Sequence, residues 1–144
     1  MKNWPELVFN SHYLTAVEVK KSLEAGDVMD AEEGVEQLIE AMARADRRAV
    51  KSQLVRLMMH IIKWHVQPER RSISWVKSIH NARIEIADIQ EESPSISNEI
   101  ISSLWDRAFD LAISEAEDEM GGQKISVKSL SWNEVFNDEY TLEA

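Results

Sequence analysis

The sequence predicts an all-α fold, residues 1–144 forming one domain, a helical bundle of about five main helices with a short irregular C-terminal segment. Three observations predict it. Apolar residues recur at intervals of three and four along several stretches, the period of a helix with one buried face. These stretches are bracketed by cap-forming Ser or Asp and by Gly or Pro stops. Alternation of the kind that marks a strand occurs only briefly, at Ile125 and Val127.

In chain order, an N-terminal arm precedes a helix over His12–Ala25, with Ala16, Val19 and Leu23 on one side and Gly26 ending it. A second helix opens at Asp27 or Asp30, carries Glu32 and Glu33 at its positive end, and lines up Ala31, Val35, Leu38, Ile39 and Met42 as its inward stripe. Gly34 inside it costs up to about 1 kcal/mol. Asp46 caps a third helix that runs to Val66, where Pro68 stops it. Its apolar side gathers Val50, Leu54, Met58, Ile61, Ile62 and His65, with Leu57 and Trp64 at the edge, and His65 reads as a hydrogen-bonded core histidine. Ser72 or Ser74 caps a fourth helix with the stripe Trp75, Ile79, Ala82, Ile86 and Ile89, on which Trp75 is expected to anchor the core. Ser93-Pro94-Ser95 reads as the start of a fifth, apolar over a wide arc and stopped by Gly121-Gly122. Ser131 caps a short last helix through Trp132, Val135 and Phe136.

Composition removes several classes of function. There is no cysteine, hence no thiol catalysis, Cys-bound zinc or disulfide, in keeping with a reducing cytoplasm. No apolar run approaches the roughly 20 residues that span a bilayer, and the N-terminus lacks a secretory core, so a soluble cytoplasmic protein with no membrane partner is expected. The charge of −10 is unevenly spread. Residues 46–83 carry nine basic side chains against two acidic, whereas 1–45 carry four against nine and 84–144 three against fifteen. Either the acidic flanks neutralise the basic middle within the fold, or a basic face is left open for phosphate or an acidic partner.

Four residues at spacings of three and four, Arg56, His60, Lys63 and Gln67, share one polar side of the third helix. That stripe suits a salt-bridged surface or a phosphate or acid–base site, in which Glu36 or Glu40 across from it would orient the His60 ring. Catalytic candidates are therefore His60, Lys63, Glu36 and Glu40. Arg70 and Arg71 beside Trp64 and Trp75 combine charge with aromatic rings, as single-strand nucleic-acid binders do. Glu115, Glu117, Asp118 and Glu119 form an acidic helix end able to meet a basic partner. No metal-ligand spacing, glycine-rich phosphate loop or hydrolase elbow occurs, and no metal or cofactor is expected.

The stretch His60-Ile61-Ile62-Lys63-Trp64, Gln67-Pro68 with Arg70, Ser74-Trp75, Ile79, Arg83 and Ser93-Pro94-Ser95-Ile96 closely resembles the bacterial family known as domain of unknown function twenty-nine. Arg47-Arg48-Ala49 upstream and Ala108, Ala112 and Glu117 downstream extend the resemblance, so that it covers Arg47 to Glu117. It implies an all-helical fold and no particular activity. The chain departs from the family at Glu36-Gln37-Leu38-Ile39-Glu40, where the family has paired glutamates, and in GGQKISVKSLSW, which replaces a proline-rich segment. The resulting expectation is a non-enzymatic interaction protein that binds or neutralises a basic protein, such as a nuclease or other toxin. The alternative is an enzyme or nucleic-acid binder built on the Arg56, His60, Lys63 and Gln67 stripe.

Overall fold

The computed structural model describes residues 2–142, and among these the chain is helical with no strand. Six α-helices follow one another: α1 (Trp4–Asn10), α2 (His12–Glu24), α3 (Val28–Val66), α4 (Ile73–Glu92), α5 (Asn98–Glu119) and α6 (Trp132–Phe136), with a 3-10 turn at Pro68–Arg70. The all-helical class expected from periodicity is therefore observed. The boundaries differ in three places, each for a local reason.

The arm before His12 is helical. Asn3 caps α1, its side chain accepting the Glu6 N–H at 3.3 Å, and Pro5 sits where a missing N–H costs nothing. The expected second and third helices are one unbroken helix, α3. Asp46 lies in its interior, because no Gly or Pro occurs between Gly34 and Pro68 and the intervening Ala- and Arg-rich segment favours continuation. Ser93-Pro94 does not open α5. Ser93 instead terminates α4, the Ile96 N–H bonds back to the Ser93 carbonyl at 2.9 Å, and Pro94 occupies the second position of that turn. Ser97 then caps α5 through the Ile100 N–H.

Glycines stop two helices as the sequence suggests. Gly26 and Gly121 both have positive φ, 79° and 73°, which side chains disfavour. After α5 the Gly122 N–H reaches the Glu117 carbonyl and the Gly121 N–H that of Asp118, satisfying two end carbonyls.

The chain forms two compact units, Met1–Arg47 and Arg48–Ala144. In the first, Trp4 is fully buried against Val19 and Ala31, with Leu7 and Leu38 packed around them. Its indole Nε1–H donates to Asp30 Oδ1 at 2.8 Å, and the Ser22 hydroxyl donates to the other carboxylate oxygen at 3.1 Å. These bonds, led by the indole, hold the Asp30 carboxyl below the usual carboxylate range. Gly34 is where the Trp4 ring comes closest to α3: a Cβ there would stand 2.7 Å from both Trp4 Cζ3 and Val19 Cγ2. The inward faces agree with the expected ones at Val19, Ala31 and Leu38 and differ elsewhere. Thr15, Val19 and Ser22 point inward from α2, and Ala31, Gly34 and Ala41 from α3, whereas Ala16, Leu23, Val35, Ile39 and Met42 face outward.

In the second unit the 50–64 part of α3 is the central strut. Val50, Leu54, Leu57, Met58, Ile61 and Ile62 are all fully buried, as the stripe predicts. Ile79, Ala82 and Ile86 of α4 meet this core, together with Ile101, Ala108, Ala112 and Ala116 of α5. The three alanines at intervals of four keep one side of α5 narrow, which allows close helix packing. The C-terminal segment is pinned by specific bonds: Arg83 Nε–H to the Val135 carbonyl at 2.8 Å, Trp105 Nε1–H to Leu130 at 3.1 Å, and the Tyr140 hydroxyl to Glu134 at 2.7 Å. Burial and the nearby Asp138 and Glu134 carboxylates push the Tyr140 phenol up to about 12. Ser131 and Glu134 form a reciprocal cap that starts α6.

Two aromatic or histidine expectations change. His65 is not a core residue: its side chain is 39% exposed and its Nε2 lies 3.5 Å from Glu134 Oε2. Trp75 packs against the core but is only partly buried, with the Lys63 ammonium over its ring at 4.8 Å.

Candidate functional site

Two surfaces hold the residues that could act on another molecule, one in each unit. In the Met1–Arg47 unit, Val28, Val35, Ile39 and Met42 lie on a single side of α3, within about 60° of one another at about 100° per residue. They are exposed, Ile39 at 62% and Met42 at 53%. The side of α3 that carries the buried Ala31, Gly34 and Ala41 flanks this row on one edge, and Glu32, Glu36 and Glu40 flank it on the other. From Val28 to Ala43 there are five acidic residues and no basic one. Between α2 and α3 a groove of about 270 Å³ opens among Leu23, Val28, Ala31, Val35, Glu32 and Glu36. Glu36 has no ion-pair partner among the described residues, and Glu40 approaches only Arg44, at 4.0 Å.

In the Arg48–Ala144 unit a groove of about 510 Å³ runs between α3 and α5. One wall presents Lys51, Ser52, Arg56 and His60, the other Glu115 and Glu119, and Val55, Met59 and Leu111 supply its apolar surface. His60 is 9% exposed. Its Nδ1 lies 2.9 Å from the Arg56 carbonyl, which can only accept, so Nδ1 carries the proton and Nε2 keeps a lone pair. Burial, opposed by that bond and reinforced by Lys63 and Arg56, lowers its affinity for a second proton. His60 lines the groove, and its Nε2 has no hydrogen-bond partner among the described residues.

The expected stripe is therefore split by the fold. Arg56 is exposed, His60 and Lys63 are buried, and Gln67 lies beyond the last turn of α3, half-buried. The His60 ring is oriented by the Arg56 carbonyl, one turn earlier on α3. Lys63, 7% exposed, forms an ion pair with Glu119 and covers Trp75. Arg71 donates from Nε to the Trp64 carbonyl at 2.8 Å and lies 4.7 Å from that ring, which is itself buried; this face of Trp64 is thus taken. Arg70 is exposed.

The acidic end of α5 is partly used within the chain. Glu117 accepts the Ile125 N–H at 2.9 Å and stands 3.9 Å from Lys124, while Glu119 pairs with Lys63. Asp118 is exposed, and Glu115 is exposed on the groove wall. Periodicity gave no sign of Lys51, Ser52 or Glu115 acting together, because a groove between helices depends on which residues of two distant segments meet. The exposed apolar row was visible only as a stripe, and a stripe does not state which way it faces.

No helix among the described residues is long and apolar enough to cross a membrane. No curated protein and no solved structure matches the chain. The family described as Domain of unknown function DUF29 matches residues 13–141, reaching well beyond the Arg47–Glu117 stretch in which the resemblance was first legible. With all of α3, α4 and α5 inside that match, the chain belongs to the DUF29 family.

Proposed function

We propose that this protein is a non-enzymatic interaction protein that takes a basic amphipathic helix of a partner protein on the outward face of α3 in the Met1–Arg47 unit. The observation that carries the reading is the exposed row of Val28, Val35, Ile39 and Met42 flanked by Glu32, Glu36 and Glu40. Large contiguous apolar surface on a protein marks an interaction site more often than chance. Residues spaced at seven, four and three along one side of a helix offer anchors to a partner helix of the same period. The glutamates choose the partner's charge. A second copy of this chain would bring the same acidic edge, whereas a helix with Lys or Arg beside its apolar stripe would meet opposite charge. The acidic end of α5, with Glu115 and Asp118 exposed, is a weaker candidate for the same partner class, since Glu117 and Glu119 are engaged within the chain.

The test is calorimetric titration of the full chain with an amphipathic Leu–Lys helical peptide, and with a Leu–Glu counterpart of the same length. The basic peptide should bind, the acidic one should not, and Ile39→Ser with Met42→Ser should weaken binding at least tenfold. Affinity should fall with salt, because rim charges are screened within about 8–10 Å at physiological ionic strength. Equal binding of the two peptides, or binding indifferent to both substitutions, would refute the reading. So would sedimentation as a dimer that the Ile39→Ser, Met42→Ser variant converts to monomer, which would give the row to a second copy.

A further inference from the structure

The groove between α3 and α5 is a second, independent feature, and its charge arrangement is unusual. Lys51 and Arg56 stand on the α3 wall with no ion-pair partner among the described residues, and Glu115 stands unpaired on the α5 wall. Glu119 on the same wall is already matched by Lys63. Val55, Met59 and Leu111 lie between them. His60, which also lines the groove, adds an acceptor, because its Nδ1 proton is committed to the Arg56 carbonyl and its Nε2 has no partner among the described residues.

A simple anion such as phosphate would satisfy one wall and be repelled by the other, and a simple cation would meet the converse. Packed helices lie about 8–10 Å apart axis to axis, so opposite charges on the two walls are matched by a ligand whose own charges are several ångströms apart. The termini of a dipeptide, at about 3.3–3.6 Å per residue, have that separation and sign. From the pairing of a cationic α3 wall with an anionic α5 wall across an apolar groove of about 510 Å³, we infer that this groove binds a short zwitterionic peptide with apolar side chains. The carboxylate lies toward Lys51 and Arg56, the ammonium toward Glu115, and an N–H of the ligand donates to His60 Nε2. The apolar side chains cover Val55, Met59 and Leu111. A volume of that size falls in the usual range for small-ligand pockets.

The experiment is a heteronuclear NMR titration of the full chain with leucyl-leucine, following the methyl signals of Val55, Met59 and Leu111. N-acetyl-leucyl-leucine lacks the cation, leucyl-leucinamide lacks the anion, and inorganic phosphate lacks the apolar body. Leucyl-leucine should shift those methyls saturably, with each blocked peptide at least tenfold weaker and phosphate without effect on them. Arg56→Gln and Glu115→Gln should each weaken binding about tenfold; both positions are exposed, and an unchanged amide spectrum in the absence of ligand checks that the fold is retained. Equal affinity for a blocked peptide would overturn the inference, as would phosphate binding as tightly as the dipeptide. The absence of any methyl shift at millimolar leucyl-leucine would overturn it as well.

Discussion

Replacing Gly34 with alanine separates two accounts of which way α3 faces in the Met1–Arg47 unit. At an exposed helical site Gly→Ala stabilises by up to about 1 kcal/mol, because alanine loses less backbone freedom on folding. Here the added Cβ would lie 2.7 Å from Trp4 Cζ3 and Val19 Cγ2 and 2.8 Å from Trp4 Cη2. Carbon contacts settle at about 3.5–4.0 Å, so the ring or the helix has to move by close to 1 Å. The indole is not free to yield, since its Nε1–H is bonded to Asp30 and the ring is fully buried. Overpacking of this kind costs about 1–3 kcal/mol. Offset by the propensity gain, it leaves Gly34→Ala less stable by roughly 1–2 kcal/mol. Urea denaturation followed by far-ultraviolet circular dichroism reads the change, and the indole N–H resonance of Trp4 reads its locality. A stabilised variant with an unmoved Trp4 resonance would refute the reasoning. Gly34 would then face solvent, and Val35, Ile39 and Met42 would be the inward stripe that periodicity alone suggests.

Two further predictions follow from the Arg48–Ala144 unit. Because burial lowers the His60 proton affinity, the folded chain resists a proton that the unfolded chain accepts. The contribution of His60 to stability should therefore be complete above the unfolded value of about 6.5 and be lost as pH falls from there through the lower folded value. His60→Gln should flatten that part of the stability profile, and an unchanged slope would show that His60 is not the group responsible. Arg83 donates to the carbonyls of Val135 and Glu134 and lies 5.5 Å from the Tyr140 ring, so Arg83→Met should cost about 1–3 kcal/mol, the range for a charged hydrogen bond lost. Limited proteolysis should then cut first between Gly122 and Tyr140; an unaltered cleavage pattern would mean that Trp105 and Tyr140 hold the segment without Arg83.

Local signals in the sequence were legible where one residue type has one physical role. Ser72 and Ser131 cap the helices they were expected to cap, Gly121-Gly122 stops α5, and the run from Val50 to Ile62 is buried as its spacing indicates. Ser93-Pro94 was misleading because Ser-Pro serves equally as a helix start and as the first half of a turn. Asp46 was misleading because a cap residue matters only where the preceding helix has a reason to end. The facing of the 28–43 part of α3 was only partly legible: Ala31 and Leu38 pack inward as the stripe suggests, but Val35, Ile39 and Met42, which dominate its apolar moment, face outward, and Gly34 takes the inward place against the ring of Trp4, a residue of a helix too short to announce itself. Of the candidate site, the Arg56, His60 and Lys63 alignment was visible, but not that His60 and Lys63 are buried, since their helix is surrounded on nearly every side.

Chemical-shift mapping of the full chain with the amphipathic Leu–Lys peptide tests the central claim most directly, because it reports where a basic helix docks. The account predicts that the largest shifts fall on Val28, Val35, Ile39 and Met42 together with the amides of Glu32, Glu36 and Glu40. Shifts confined to Glu115, Asp118 and their neighbours on α5, with the α3 row unmoved, would contradict it.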